Sequence, residues 1–281
     1  MYIQSTLALG ILANTATAAL TNCGTGGSSK ALGDLSKEFR NEPSAIRGQR
    51  KNVEIKTFVH IVAASEKEED GYLTEETVKS EVDVLNKAYK PWNFSFKVAK
   101  ITRTINETWA SNYGDSPFGN DTEPDMRAAL REGTYKDLNL FFVLNMVPNG
   151  KCELPVPDVT DDTVLWDGCI MKSQNCGELP PTFGQVTIHE VGHWLGLEHT
   201  FENGCEEPGD YVDDTPYEAF PVGGDSCAEP GRNTCPGKLG LDPVDNYMTY
   251  VKYDCGPLRF TPGQAERMHK LWKKLRENSN I

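Results

Sequence analysis

The sequence predicts an α+β fold, in which strands and helices alternate along the N-terminal half and an irregular half follows. Residues 52–63 alternate between apolar and polar side chains, as a half-buried strand does, and residues 74–89 place their apolar side chains on one helical face. Residues 200–257 are instead rich in Gly, Pro, Asp and Cys. Apolar burial alone cannot hold such a segment, so we expect disulfide bonds, with calcium as a second candidate, to stabilise it.

The first 50 residues are interpreted as segments that precede the folded domain. Residues 1–18 resemble a secretory signal peptide, because a short apolar run ends in the small-residue site Ala16-Thr17-Ala18; an ordinary N-terminal helix is the alternative. Residues 19–50 are polar and show no clear periodicity. We interpret them as a propeptide with a possible processing point at the basic cluster 47–51, and a mobile N-terminal arm is the alternative.

Caps and apolar runs mark the elements that follow. Thr74 can cap the helix that ends near Tyr89, and Thr261 with Gln264 forms a capping box at the start of the last helix. The mostly apolar run at 138–146 suits a central strand that is buried on both faces. The remaining expected elements are a strand at 94–105, a short helix at 124–131, a strand at 163–171, a helix from about 182–184 to Gly196, and the last helix from Pro262 to about Leu275.

Charge and hydropathy exclude two classes of partner. The 28 Lys and Arg residues face 41 Asp and Glu residues in a chain of 281, which gives a net charge of −13 and no basic field to neutralise phosphates. We therefore expect no nucleic-acid partner. No apolar stretch approaches the roughly 20 residues that span a membrane, so we expect no membrane partner either.

Cysteines and glycosylation acceptors indicate an extracellular protein. None of the eight cysteines lies in a Cys-x-x-Cys pair, which favours disulfide bonds over a metal cage. Acceptor sequons occur at Asn93, Asn106 and Asn120. We predict a secreted glycoprotein that is a monomer.

One stretch carries the chemistry, and it is His-Glu-Val-Gly-His-Trp-Leu-Gly-Leu-Glu-His at 189–199. His189 and His193 lie four apart on one helical face, about 5–6 Å from each other, and can share one zinc ion. Gly196 tolerates positive φ, so the helix can end there and turn His199 back to the metal. Glu190 suits the general base that takes a proton from the zinc-bound water. The alternative, an amphipathic helix with unrelated histidines, must place three of the chain's five histidines here by chance.

This motif resembles that of the metzincin clan of zinc endopeptidases, which also carries a methionine turn downstream. The resemblance implies that Met248 lies beneath the metal and that Tyr250 reaches the zinc or the oxyanion. It also implies a metzincin-type zincin over residues 51–281, with a mixed twisted sheet and the active-site helix beneath it. The N-terminal half would run to about residue 196 and the C-terminal half over 197–281. The substrate would add a strand to the sheet edge above the zinc.

Longer segments look like the pappalysin-type branch of this clan, particularly its small secreted fungal metalloproteases. The resemblance covers roughly residues 50–280, and Thr249 departs from it where the family often has Asp. The matching segments are HEVGHWLGLEHTF at 189–201, GDYVDDTPYE at 209–218, LDPVDNYMTY at 241–250 and FTPGQAERM at 260–268.

The resemblance also suggests how the cysteines pair. Its pattern joins Cys205 to Cys235 and Cys227 to Cys255. Cys23 could place a thiolate on the zinc and keep a proenzyme latent, as in some relatives, or it could form a disulfide. A zinc-bound Cys23 would leave an odd thiol among the three remaining cysteines, so parity favours the disulfide. Those three are Cys152, Cys169 and Cys176.

A calcium site is implied near the middle of the C-terminal half. Carboxylates and hydroxyls are the hard oxygen donors that calcium prefers, and a solvated acidic turn is the alternative. The residues that match the calcium segment of relatives are Asp210, Asp214, Thr215 and Glu218.

The sequence therefore predicts a secreted zinc-dependent endopeptidase that acts on proteins and peptides. One catalytic Zn²⁺ would be held by the three motif histidines, with Glu190 as base and Tyr250 at the oxyanion. The alternatives are a catalytically silent binding module on the same fold and a zinc-storage protein, which would need a fourth protein ligand.

Overall fold

The structure, a computed structural model, describes residues 23–42, 51–111, 122–146, 148–173, 183–221, 229, 231–250 and 256–281. The predictions for the signal peptide, Asn120, Cys176 and the Cys227–Cys255 pair lie outside these residues. Across the described ranges, no helix has both the length and the apolar character needed to cross a membrane.

Seven α-helices and five strands are found in these ranges. In chain order they are α1 (Lys30–Asn41), β1 (Val53–Ala63), α2 (Glu75–Tyr89), β2 (Phe94–Ile105), α3 (Glu107–Ser111), α4 (Glu123–Leu130), β3 (Leu138–Val143), β4 (Gly150–Cys152), α5 (Asp161–Trp166), β5 (Cys169–Lys172), α6 (Phe183–Trp194) and α7 (Pro262–Leu271). A π-helical turn at Trp272–Arg276 continues α7.

The strands form one mixed sheet in the order β2-β1-β3-β5-β4. All neighbours are parallel except β4 and β5, so β4 is an antiparallel edge strand. Central strand β3 is buried at every residue, and its side chains divide between two apolar clusters on the two faces of the sheet. One cluster includes residues of α2 and α6, and the other includes residues of α3 and α4. The predicted α+β fold with a mixed sheet is confirmed.

Local signals locate several of these elements well. The Thr74 hydroxyl accepts a hydrogen bond from the Thr77 amide at 3.1 Å and so caps α2. The Thr261 hydroxyl accepts from the Gln264 amide at 3.1 Å, while the Gln264 side chain accepts from the Thr261 amide at 2.9 Å. This is the predicted capping box at the start of α7.

One prediction of local structure is wrong, and one helix was not predicted. The strand expected at 163–171 begins only at Cys169, because Thr160 caps a short helix over Asp161–Trp166 with a capping box of its own. Residues 19–50 showed no periodicity, yet Ser29 caps helix α1 inside them. The buried face of α1 is narrow, since only Leu32, Gly33 and Ser36 are buried, which explains why the apolar pattern is weak.

The described cysteines form two disulfide bonds and leave one free thiol. Cys205 pairs with Cys235, as the resemblance implied. Cys152 pairs with Cys169 because these residues lie opposite each other in the β4–β5 register. Cys23 is free, so the parity argument that favoured a disulfide for it is wrong.

A buried ion pair fastens the end of the chain to the end of α6. The Arg276 guanidinium donates to Asp167 Oδ1 at 2.8 Å and to the Trp194 carbonyl oxygen at 3.2 Å. The Trp194 indole donates to the same carboxylate at 3.1 Å. Because a buried charge needs a partner, this network fixes the last turn of α6 against the C-terminal segment.

Glu81 gives the fold a pH-dependent stability. It is buried on α2, and burial raises its pKa from 4.5 to about 8, an effect that the nearby Thr187 hydroxyl partly offsets. The folded state then holds a proton that the unfolded state releases, so stability falls as pH rises from 4.5 to about 8.

We predict that Glu81→Gln is more stable than the wild type at neutral pH. The advantage grows by about 1.4 kcal/mol for each pH unit inside that window. Urea unfolding at pH 5 and pH 7.5 measures it, and an advantage of equal size at both pH values contradicts the prediction.

Candidate metal centre and active site

Three imidazole nitrogens meet at one buried point. His193 Nε2 lies 3.1 Å from His189 Nε2 and 3.2 Å from His199 Nε2. Two nitrogens that each lie about 2.0–2.1 Å from a tetrahedral zinc ion are about 3.3 Å apart. The type and spacing of these donors therefore fit one zinc ion.

Backbone oxygens turn the rings toward this point. His189 Nδ1 lies 2.6 Å from the Tyr247 carbonyl oxygen, and His193 Nδ1 lies 2.8 Å from that of Leu197. A proton on Nδ1 can be donated to the carbonyl, which leaves the Nε2 lone pair for a metal. Burial lowers the pKa of all three histidines, to about 4 for His189, so the rings are neutral, as ligands must be.

A turn at the end of α6 delivers the third ring. Gly196 has φ +96°, and the Leu197 amide donates back to the Gly192 carbonyl oxygen at 2.9 Å. Any Cβ at residue 196 would lie 2.3 Å from Leu271 Cδ1 of α7. Arg267, also on α7, donates to the Gly196 carbonyl oxygen at 2.7 Å. Glycine is thus required here both for conformation and for space.

Met248 lies under the site because α6 has a glycine facing it. A Cβ at Gly192 would be 2.6 Å from Met248 Sδ, so the thioether packs directly on the helix backbone. Both Met248 and Tyr250 are buried. The Tyr250 ring centroid is 5.1 Å from that of His199, and burial raises the pKa of its phenol, which stays protonated.

Glu190 faces the edge strand across a glycine. A Cβ at Gly150 of β4 would lie 2.6 Å from Glu190 Cγ and 2.8 Å from its Oε1. Burial raises the pKa of Glu190 to about 7. Cys23 Sγ lies 3.5 Å from Glu190 Oε2 and within 4.8 Å of the three histidine nitrogens, so the Glu190 carboxyl group lies near the imidazoles. The glycine at the sheet edge leaves the space that this carboxyl group needs.

Residues 23–25 occupy the same gap; they belong to the segment 19–50 that is predicted to be a propeptide and is called the leader below. Cys23 Sγ and the three histidine nitrogens lie within 4.8 Å of one another, which is the one possible metal-binding cluster in the described part of the chain. The Thr25 hydroxyl donates to Glu190 Oε2 at 3.0 Å and accepts from the Cys152 amide at 3.0 Å. The Gly24 amide donates to the Gly150 carbonyl oxygen at 2.8 Å. The leader is thus bound to both the edge strand and the carboxylate.

The structure does not bring the four expected calcium residues together. The Glu218 carboxylate accepts from the hydroxyls of Thr200, at 2.7 Å, and Thr249, at 2.8 Å, and it pairs with Arg232. It therefore joins the residue after His199 to the methionine turn. Thr249, the departure from the family pattern, supplies one of its donors.

The other expected calcium ligands also have protein partners. The Asp210 carboxylate accepts from the Thr215 hydroxyl at 2.8 Å. Asp214 accepts from the Thr261 hydroxyl at 2.6 Å and from the Gly263 amide at 2.9 Å, at the start of α7. Calcium binding stays a prediction that these contacts do not support.

Known proteins resemble this chain over most of its length. An extracellular metalloprotease of Neurospora crassa is 37% identical over 271 residues, which are 92% of this chain and 90% of the relative. One of Colletotrichum graminicola is 36% identical over 98% of this chain and 99% of the relative. This chain belongs to that family of extracellular metalloproteases.

A family model and a solved structure also match parts of this chain. The peptidase M43 family model, described as pregnancy-associated plasma protein-A, matches residues 164–273. Mature mirolysin of Tannerella forsythia, solved with a cleaved peptide, has a TM-score of 0.64 at 24% identity and covers 80% of this chain and 93% of that one. This likeness confirms the metzincin fold.

The family settles what kind of protein this is. It is an extracellular zinc metalloendopeptidase whose substrates are proteins or peptides. The enzyme prediction is confirmed, and the silent binding module is not supported.

Three residues of this site were not singled out from the sequence. Gly150 and Thr25 lie outside the catalytic motif, and Gly192 occupies one of its variable positions; their roles are to leave space or to reach across the fold. Gly192 alone had a usable signal, since it lies within the motif on the helix that carries the ligands.

We predict that Gly150→Ala lowers peptide hydrolysis by the leader-free protease by about tenfold or more, because a misplaced catalytic group loses rate steeply. The added methyl group would push the Glu190 carboxylate out of place. The control is Gly237→Ala, whose Cβ would meet no atom within 4 Å. A fluorogenic peptide assay measures both, and equal rates for the two variants contradict the assignment.

Proposed function

We propose that the protein is made as a latent precursor of a secreted zinc endopeptidase, in which Glu190 is the general base and residues 23–25 block the site. The observation that carries the catalytic part is the convergence of three neutral imidazoles beside one buried carboxylate. These are the parts that metal-assisted hydrolysis of a peptide bond requires.

The reaction consumes one water molecule for each peptide bond. His189, His193 and His199 would hold a zinc ion, which would lower the pKa of a water molecule and polarise the substrate carbonyl. Glu190 accepts a proton from that water on its carboxylate while the water oxygen forms a bond to the carbonyl carbon. Glu190 then gives this proton to the leaving nitrogen as the C–N bond breaks. The products are a carboxylic acid and an amine.

Tyr250 completes the proposed machinery. Its buried phenol stays protonated and can donate a hydrogen bond to the carbonyl oxygen, on which negative charge grows. The buried Met248 side chain provides an apolar surface beneath the imidazoles and takes no part in proton transfer.

We predict that Glu190→Ala lowers kcat for casein or peptide hydrolysis by at least about a hundredfold, the usual range for a lost acid–base group. Zinc content, measured by elemental mass spectrometry, stays at the wild-type level because the three imidazoles remain. Glu277→Ala, at an exposed residue of the C-terminal segment, is the control and keeps full activity. Near-normal turnover by Glu190→Ala would exclude it as the base.

The leader supports the latent part of the proposal. Cys23 adds a fourth donor to the three imidazoles, and a closed four-ligand sphere is typical of structural zinc rather than catalytic zinc. Thr25 at the same time engages the proposed base. The fourth protein ligand that a storage protein needs is thus present, but only while the leader is attached.

We predict that Cys23→Ser makes the uncut chain active, because the leader then holds the site more weakly. Intact wild-type chain should hydrolyse peptide at least about tenfold more slowly than the variant, a difference of about 1.4 kcal/mol in leader binding. Intact mass is read at each time point so that only chains that retain the leader are compared. Equal activity of the two uncut proteins contradicts the latency.

A further inference from the structure

The leader makes a second contact with the domain, away from the active site. Helix α1 follows the blocking residues 23–25 after only a few residues, and it lies on the C-terminal half. Its contacts fall on two segments, residues 207–213 and α7. We call these two segments the α1 surface.

Charged side chains hold the last turns of α1. Arg40 Nε donates to Asp213 Oδ1 at 2.6 Å, and its Nη1 donates to Glu207 Oε2 at 3.1 Å and to the Pro208 carbonyl oxygen at 3.3 Å. Lys270 donates to the Phe39 carbonyl oxygen at 2.8 Å. That carbonyl is one of those that the end of a helix leaves without a partner inside the helix, so α7 caps α1.

Close packing holds the first turns. Leu32, Gly33 and Ser36 are buried, and Leu35 and Phe39 are half-buried. Gly33 approaches Tyr211 so closely that a Cβ there would lie 2.9 Å from the Tyr211 hydroxyl oxygen. The helix therefore rests on the domain along its length and is not merely tethered at one end.

We propose that α1 is the anchor of the leader, and that its binding to the α1 surface determines how often Cys23 and Thr25 leave the active site. The proposal rests on the latency argued above. Two weak contacts on one short chain reinforce each other, because either contact keeps the other at high effective concentration. Loss of the α1 contact should therefore open the distant active site without any change to a residue there.

The experiment measures how fast iodoacetamide alkylates Cys23 in the full chain loaded with zinc. Peptide mass spectrometry reports the modification, and only chains that retain the leader are counted. Arg40→Glu places a carboxylate beside Glu207 and Asp213, and it should raise the alkylation rate by about tenfold, a 1.4 kcal/mol change in leader binding.

Two further variants test whether the effect comes from the Arg40 ion pairs. One makes the same change of charge elsewhere on α1, and the other restores an ion pair with its charges reversed. Lys37→Glu makes the same charge change on the same helix, but Lys37 pairs with Asp34 of α1 itself, at 3.7 Å, so the rate should stay at the wild-type level. Adding Asp213→Arg to Arg40→Glu restores an ion pair in the reverse sense and should lower the rate again.

A third variant tests packing without charge. Gly33→Leu raises the helix propensity of α1 but must displace the Tyr211 side chain from the helix, so its alkylation rate should rise although the helix itself is more stable. An unchanged rate in Arg40→Glu and Gly33→Leu would overturn the proposal. So would an equal increase in Lys37→Glu and Arg40→Glu, which would assign the effect to total charge.

Alkylation of Cys23 requires no catalysis, so its rate tests the anchor, while the peptidase activity of the uncut chain tests the proposed latency. Faster alkylation of Arg40→Glu together with higher peptidase activity of the uncut chain supports both. Faster alkylation without any gain in activity supports the anchor and contradicts the latency.

Discussion

The structure depends on a geometric constraint: three imidazoles must meet at one point, but a straight helix can supply only two of them. The positive φ of Gly196 solves the problem by turning the chain back toward His193. That turn has to be covered, and Arg267 and Leu271 of α7 cover it. The C-terminal half therefore contributes to the metal site, because its last helix packs on the turn that positions the third ligand.

Buried carboxylates in the C-terminal half serve the same constraint. A carboxylate removed from water needs strong donors, and either a cation or protein groups can provide them. Here Glu218 takes two hydroxyls and a guanidinium, and in doing so ties the segment after His199 to the methionine turn. The carboxylate of Asp214, which is exposed, likewise accepts from a hydroxyl and an amide, at the start of α7. The acidic motif is thus accounted for by links between segments.

An element can be predicted from the sequence when the residues that cause it lie close together in the chain. The cap at Thr74, the buried run of β3 and the zinc motif are each visible within a few residues, and the structure has the corresponding elements. The three-residue strand β4 and the Cys152–Cys169 pair depend on sheet register, which no short window contains. Helix α1 was missed because its main partners lie about 170 positions away in the chain.

In the proposed latent precursor, the leader and a substrate would compete for the same backbone groups of β4. If the substrate adds a strand at the edge of the sheet, as in the implied binding mode, it needs the free polar groups of β4. The leader already uses two of them, the Gly150 carbonyl and the Cys152 amide. Because the leader is part of the chain, its local concentration does not fall on dilution, and a substrate in solution must overcome it. Because these contacts use backbone groups, such blocking would exclude substrates whatever their side-chain sequence.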